Sequence, residues 1–552
     1  MKKLLIFAFI ALFAIGGLWF GRSAYRGHKE KRAMRQAEQF LQQKEFAKAM
    51  LSARQALQLN ENNLGACRVM ATLAESSGSR NALGWRKRIA QLEPTVDNKL
   101  ILASCALRFE SAPYPTAAST LREISASSTN KAEFHIVLGK LSLLLSDFDK
   151  AEKHLSEAAR LEPENDSNQL NLAALQMRSS DSSKAERARR TLERLRSNPQ
   201  FEHDALRWLL RDREEHGDYV AALDYSAALL RSPNVQDPDR FQHLTLLHRT
   251  KSPGLGAYLQ SLREKAGTNA VEIYKIASWQ IASEMSAEAI SWLDTLSVSL
   301  QAERPIPIAR AEAMAALKQW SELTDYLRSQ KWNEQDFLRL ALLAHSLKEQ
   351  GEDAVAQANW SRSVRTATES GEHLAVLAQL AGKWGWESET ESLLWTITEN
   401  FADQAWALES LNRVYEANKN TAGLLRVYEV RAKRNGTDQL SKNNVAMISL
   451  LLKTNLPSAY RLAEEVYLSN KTNHGFVSTY AFSLHAQGKT KEALTLMEGL
   501  EEADLLRPDI AFYHGLLLRE TGQREKAKAA LSLARVASLL PEEKRLLEKA
   551  RE

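Results

Sequence analysis

A small residue returns about every 34 positions between Ala49 and Ala527, and this interval accounts for nearly the whole of a 552-residue chain beyond one apolar N-terminal stretch. A segment of that length cannot bury an apolar face by itself, so successive copies must stack and share a continuous core. The recurrence argues against one ordinary globular core and for an elongated array.

The clearest copies are DFDKAEKHLSEAARLEP (Asp147 to Pro163), GDYVAALDYSAALL (Gly217 to Leu230), GKTKEALTLMEGL (Gly488 to Leu500) and GQREKAKAALSLA (Gly522 to Ala534). In each, apolar or small residues stand four and seven positions after the first: Ala151, Leu155, Ala158; Ala222, Ser226, Leu229; Ala493, Met497, Leu500; Ala527, Leu531, Ala534. That spacing lays a single stripe along one helix face, the packing face. Gly217, Gly351, Gly488 and Gly522 precede the small residue by five, where a helix must end in a left-handed turn that glycine adopts without penalty. Pro94 and Pro163 follow it by twelve, where the next helix has to stop. The predicted unit is a helical hairpin.

Carried along the chain by period, the register places the small position at Ala49, Ala82, Ala117, Ala151, Ala185 or Ala188, Ala222, Leu255, Ala289, Leu323, Ala356, Glu389, Leu424, Ala459, Ala493 and Ala527. Between twelve and fifteen hairpins are expected. Leu255, Leu323, Glu389 and Leu424 break the small-residue rule, which marks the middle units as degenerate.

The period and residue order resemble the tetratricopeptide repeat family. Leu138 and Gly139 match its first-helix Leu-Gly pair, while Ala151, Leu155, Ala158 and Pro163 match its second-helix positions; Gly515 and Ala527 repeat the separation of twelve between Gly139 and Ala151. The resemblance implies an all-α solenoid of stacked helix-turn-helix repeats forming a superhelix, in which the first helix of each pair lines an inner groove that takes peptides. On this register Lys140, Asn171, Phe482, His485, Tyr513 and Arg519 face that groove. Asn171 is the most useful of them, since an amide pairs with both donor and acceptor of an extended backbone. The basic and asparagine positions with which family members grip a C-terminal carboxylate do not occur together in one three-repeat block.

Hydrophobic content of 44%, charged content of 26%, and only 23 Gly and 13 Pro fit a helical chain without a strand-rich domain. The brief breaks SPNVQDPDR (Ser232 to Arg240) and ERPIP (Glu303 to Pro307) have the length of loops between repeats. A net charge of +5 is too small for a body seeking nucleic acid. Cys67 and Cys105 are too few for a disulfide framework.

The N-terminus supplies a location. Lys2 and Lys3 precede the uncharged run Leu4 to Phe20, and Arg22, Arg26, Lys29, Lys31, Arg32 and Arg35 follow it. Seventeen residues is the short end of a membrane span, and no small-x-small cleavage site follows cleanly. The expected organisation is a transmembrane anchor or uncleaved signal-anchor over 1–21, a basic juxtamembrane segment over 22–35, the solenoid over 36–545 and a tail over 546–552. The basic flank after the span favours the cytoplasmic face of a bacterial inner membrane, whereas the Lys-Lys start is also the signature of an exported chain.

No phosphate loop, H-E-x-x-H, paired C-x-x-C or G-x-S-x-G elbow occurs. Gly254 and Gly256 form a lone G-x-G that reads as a turn between repeats, and His243 and His248, five apart, diverge on a helix. No catalytic, metal or cofactor residues are expected. Two clusters could carry binding. Lys184, Arg187, Arg189, Arg190, Arg194 and Arg196 crowd one helix, more simply a solvated face than a docking patch. Nine of the twelve tryptophans lie between Trp279 and Trp406, as core filling where alanine is missing or as exposed anchors.

These readings converge on a non-catalytic, membrane-anchored scaffold that binds proteins or peptides in its groove and helps assemble a cell-envelope complex. Anchor plus repeats resembles bacterial membrane-anchored assembly factors of envelope polysaccharide production, although the SLLPEEKRLLEKARE ending lacks the paired C-x-x-C of the best-known of them. The alternative is an extracytoplasmic repeat protein of an exopolysaccharide or cellulose system, its tryptophans stacking on sugar rings.

Overall fold

At Gly217, Gly351, Gly488 and Gly522 the backbone takes φ of 72°, 80°, 82° and 84°. At each, the following N–H donates to the carbonyl five residues back, as in Lys489 to Leu484 (2.9 Å) and Gln523 to Leu518 (2.9 Å), which closes the first helix and aims the chain into the second. Lys44, Ser146, Glu284, Lys318 and Lys419 adopt the same conformation (φ 51° to 62°) five residues before the small position, so the hairpin turn persists where glycine does not. The second helix then starts from a side-chain cap in several hairpins, with Asp147, Asp181 and Asp218 each accepting a backbone N–H from its first turn.

This computed structural model describes residues 25–551. They are all-helical in two compact units divided at Gly267. Among the described residues, seven hairpins fill the first unit, from the helix 25–42 paired with Phe46–Leu59 to Asp237–Arg249 paired with Leu255–Ala266. Eight fill the second, from Ala270–Ala282 paired with Ser286–Asp294 to Pro508–Glu520 paired with Arg524–Leu533, followed by a last helix, Pro541–Arg551.

Every one of the fifteen register positions falls on the second helix of a different hairpin. Most are buried, including Leu323 and Leu424, which occupy the slot in place of alanine. Two differ. Glu389 is half-buried, and the turn residue Gly385 (φ 72°) stands five before Thr390, so the true register there is one residue later. Leu255 is only half-buried because it opens its helix, while Leu259 and Leu262, four and seven further on, carry the buried stripe. The two loop-like breaks end inside helices: Pro238 and Pro307 sit in first turns, where a missing N–H costs nothing.

The family-type glycines mark where helices touch. A Cβ on Gly139 would lie 2.9 Å from Leu155 Cγ, and one on Gly515 would lie 2.7 Å from Leu531 Cγ. Neighbouring hairpins are also fastened by polar links one period apart: Asn63 to Glu30 (2.6 Å), Lys131 to Asp97 (2.6 Å), Lys184 to Glu152 (2.8 Å), Asn198 to Asp166 (2.9 Å) and Arg207 to Asp239 (2.8 Å), all spanning 32 to 34 residues.

Among the described residues no helix is long and apolar enough to cross a membrane. The run Leu4 to Phe20 lies outside them, as does the whole segment 1–21 read as the anchor. The expected boundaries at 35/36 and 545/546 both fall within helices. Ala33 and Ala37 are buried against Ala53 and Ala56, so the described part of the basic segment, 25–35, belongs to the first hairpin, with Arg26, Lys29, Lys31, Arg32 and Arg35 exposed. Residues 546–551 of the expected tail belong to the helix Pro541–Arg551.

Candidate interaction surface

Successive first helices touch in part of each unit: Val96–Phe109 touches Ala132–Leu144 in the first, and His474–Ala486 touches both Gln439–Leu452 and Pro508–Glu520 in the second. The six sequence-derived groove residues all stand on first helices. Lys140 is exposed. Asn171 is half-buried, and its side chain has no hydrogen bond among the described residues. Both lie in the first unit with their polar ends available.

The other four lie in the second unit under different conditions. Phe482 and Tyr513 are buried, their rings 5.1 Å apart, and so are core residues more than open groove lining. The Tyr513 hydroxyl donates to Glu543, and the Arg519 guanidinium donates to the carbonyl of Lys549. His485 is half-buried with Nδ1 3.0 Å from Thr490 Oγ1, and burial lowers its pKa. Sequence periodicity overlooked the helix Pro541–Arg551, which covers part of this face. The available signal was the run of leucines around a proline and two glutamates in SLLPEEKRLL, an amphipathic helix start.

The basic helix Ser182–Leu195 is largely neutralised from within. Lys184 pairs with Glu152 (2.8 Å), Arg194 with Asp166 (2.8 Å), Arg196 with Glu193 (3.0 Å), and Arg189 holds the buried Asp212 through two nitrogens at 2.8 and 3.1 Å. A buried carboxylate gripped by a guanidinium fork is a fastening between hairpins, and breaking it leaves an uncompensated charge. The solvated-face alternative to a docking patch is thereby refined into a helix bound to both neighbours.

Tryptophan serves the core first. Trp332, Trp360, Trp386 and Trp395 are buried, and only Trp406 of the central nine is exposed, at 38%. His345 is enclosed by this group: Trp384 stacks on it at 4.2 Å, while Trp320 and Trp386 meet it edge-on at 5.2 and 5.9 Å. Burial, helped by Lys348 and Lys383, pushes its pKa down to about 4. Lys348 Nζ sits 4.4 Å over the Trp386 ring.

Elsewhere, His243 Nδ1 lies 2.7 Å from Ser226 Oγ, but Ser226 is fully buried, so no substrate reaches that pair. Gly254 caps the helix Leu255–Ala266, in keeping with a turn. Cys67 and Cys105 are buried, and burial raises the Cys105 thiol to about 11, which leaves it unreactive. Among the described residues no three of His, Cys, Asp and Glu converge as metal ligands.

No family model matches this sequence, and no curated protein matches it. Solved structures resemble it weakly. The Cut9–Hcn1 hetero-tetramer of the APC/C aligns over 95% of this chain and 96% of its own at 12% identity and a TM-score of 0.29. MamA aligns over 35% of this chain and 96% of its own at 15% identity and 0.26, and Pseudomonas aeruginosa PilF over 43% and 92% at 14% and 0.26. Likeness at that level carries no argument about activity. The fold is tetratricopeptide-like. That statement stands on the hairpins themselves, their period and their glycine contacts.

Proposed function

We propose that this protein is a non-catalytic scaffold that binds other proteins through the face of its first helices, held at a bacterial inner membrane by Leu4 to Phe20. The observation that carries the reading is the repetition of fifteen hairpins among the described residues, with successive first helices side by side in Gln439–Leu452, His474–Ala486 and Pro508–Glu520. Anchoring confines that face to the bilayer and raises the effective concentration of whatever it holds. Lys140 and Asn171 are the contact residues in the first unit; Phe482, His485, Tyr513 and Arg519 mark the corresponding region of the second. The cytoplasmic side is favoured by the basic residues Arg22 to Arg35, and assembly or regulation of a cell-envelope complex is the role that fits an anchored scaffold.

The burial of Trp332, Trp360, Trp386 and Trp395 weighs against the alternative in which central tryptophans stack on a polysaccharide. The test combines location with contact. Protease is applied to intact and osmotically opened cells carrying a C-terminal tag, and photo-crosslinkers are placed at Lys140 and Asn171. Protection until the inner membrane is lysed, with crosslinks to envelope proteins, supports the reading. Digestion once only the outer layer is opened moves the solenoid outside and brings the polysaccharide role forward.

A further inference from the structure

The segment 537–551 returns to hairpins from which it is far removed in sequence. Lys419 Nζ lies 2.6 Å from Ser538 Oγ, and Thr421 Oγ1 donates to Glu542 at 2.5 Å, contacts that span 119 and 121 residues. From there the helix Pro541–Arg551 packs on the first helices Gln439–Leu452 and Pro508–Glu520, ending with the Lys549 carbonyl on Arg519. A sixteenth first helix continuing the stack would rest on the fifteenth hairpin alone. This one packs on the first helix of the thirteenth and touches the twelfth, across the face that the proposed function assigns to partners.

Its hold combines apolar burial with polar contacts. Leu539 and Leu547 are buried and Leu540, Leu546 and Ala550 partly so, against a cluster that includes Phe482, Tyr513 and Leu516. The same face of the helix carries Glu543, four residues before Leu547. Its carboxylate accepts from the Tyr513 hydroxyl and from the Leu540 N–H (2.7 Å), and burial raises its pKa. Burying an acid costs free energy unless donors meet it, and here the Tyr513 hydroxyl and the Leu540 N–H do. Eleven residues are also fewer than a helix needs to persist alone in water, so this one is helical because it is docked.

Resting on the scaffold reading, we propose that the first-helix face of the last three hairpins is a docking site for an amphipathic helix of a partner protein, one with an acidic first turn and leucines along one side. Residues 537–551 occupy this site in the partner's absence and must leave to admit it. The Tyr513 hydroxyl and the Arg519 guanidinium are the site's polar recognition points: Tyr513 takes an acid in the incoming first turn, and Arg519 takes a carbonyl at the helix end. Phe482, Tyr513 and Leu516 receive the leucine side.

The probe is a fluorescein-labelled peptide with the sequence of residues 534–552, added to the full-length protein in detergent. Wild type should bind it weakly, because the tethered copy competes at high effective concentration. Leu547→Glu and, independently, Leu539→Asp should each expose the site and tighten peptide binding at least ten-fold with helicity otherwise unchanged. Hydrogen exchange on wild type needs no variant: amides of 541–551 should exchange well before those of Pro508–Glu520. Exchange of both only on global unfolding, or folded release variants that take no more peptide than wild type, overturns the proposal. So does a release variant that dimerises by trading the segment, since the occupant would then be a second copy. Crosslinks from Lys140 and Asn171 separate the two levels. If they persist while peptide binding fails, this site is wrong and the scaffold stands; if they vanish as well, the scaffold reading falls.

Discussion

Gly139 and Gly515 set how closely two helices approach, and they are not equally constrained. At Gly139 the obstructing atoms belong to the Leu155 side chain, which can turn aside; at Gly515 the backbone nitrogen of Leu531 also lies 3.2 Å from the would-be Cβ and cannot. Alanine gains about 1 kcal/mol of helix propensity at either site, against an overpacking cost of about 1–3 kcal/mol. Gly515→Ala should therefore lower stability by up to about 2 kcal/mol net, with Gly139→Ala nearer neutral. Urea midpoints would reveal the difference, and equal midpoints would contradict it. His345 makes a second prediction. Its pKa, lowered to about 4, means that the fold favours neutral imidazole, so this stabilisation is complete above the ordinary value of 6.5 and is lost as pH falls toward 4. The loss is at most about 3 kcal/mol. In His345→Phe, which keeps an aromatic ring among Trp320, Trp384 and Trp386, the drop in melting temperature between pH 7 and 4.5 should shrink. An unchanged drop would place the acid sensitivity elsewhere.

The hairpin turn is the element on which legibility in sequence depended. Glycine advertises a left-handed residue, so Gly217, Gly351, Gly488 and Gly522 could be located by eye. Lys44, Ser146, Glu284, Lys318 and Lys419 could not, because the surrounding helices impose a conformation for which those side chains have no preference. The two groups should respond oppositely: Gly488→Ala loses about 1 kcal/mol, whereas Lys318→Gly is neutral or stabilising by up to about 1 kcal/mol. Differential thermal shifts on the single variants decide it, and a destabilised Lys318→Gly would show that its aliphatic stem, not its backbone, matters there. Fastenings between elements were equally hard to read. The charges of Lys184 to Arg196 are plain in one helix, but their partners Glu152, Asp166 and Asp212 lie 23 to 32 residues away on neighbouring helices. Two candidate groove residues, Phe482 and Tyr513, were placed on the correct helices. Periodicity reports which helix a residue occupies, and says less about whether another segment covers it.

Across the whole molecule, the period alone carried the hairpin arrangement, because stacked units touch chiefly their neighbours and each copy restates the rule. That same locality predicts graded unfolding. Since nine of the twelve tryptophans lie between Trp279 and Trp406, their emission reports the central hairpins, whereas far-UV circular dichroism averages every helix. The two signals should give different urea transitions, and superimposable curves would mean that the array melts as one. The segment 537–551 escaped the sequence reading because it has no period to obey and its partners are distant. Its position also has a consequence in time. Tyr513 and Arg519 are made before Glu543 and Lys549, by about 2–6 s at ordinary synthesis rates. Through that interval the face built by the last hairpins takes shape with nothing of its own to cover it. A partner met during synthesis finds a vacancy, while one met afterwards must win a competition, so the order in which the chain is made gives precedence to whatever is already waiting.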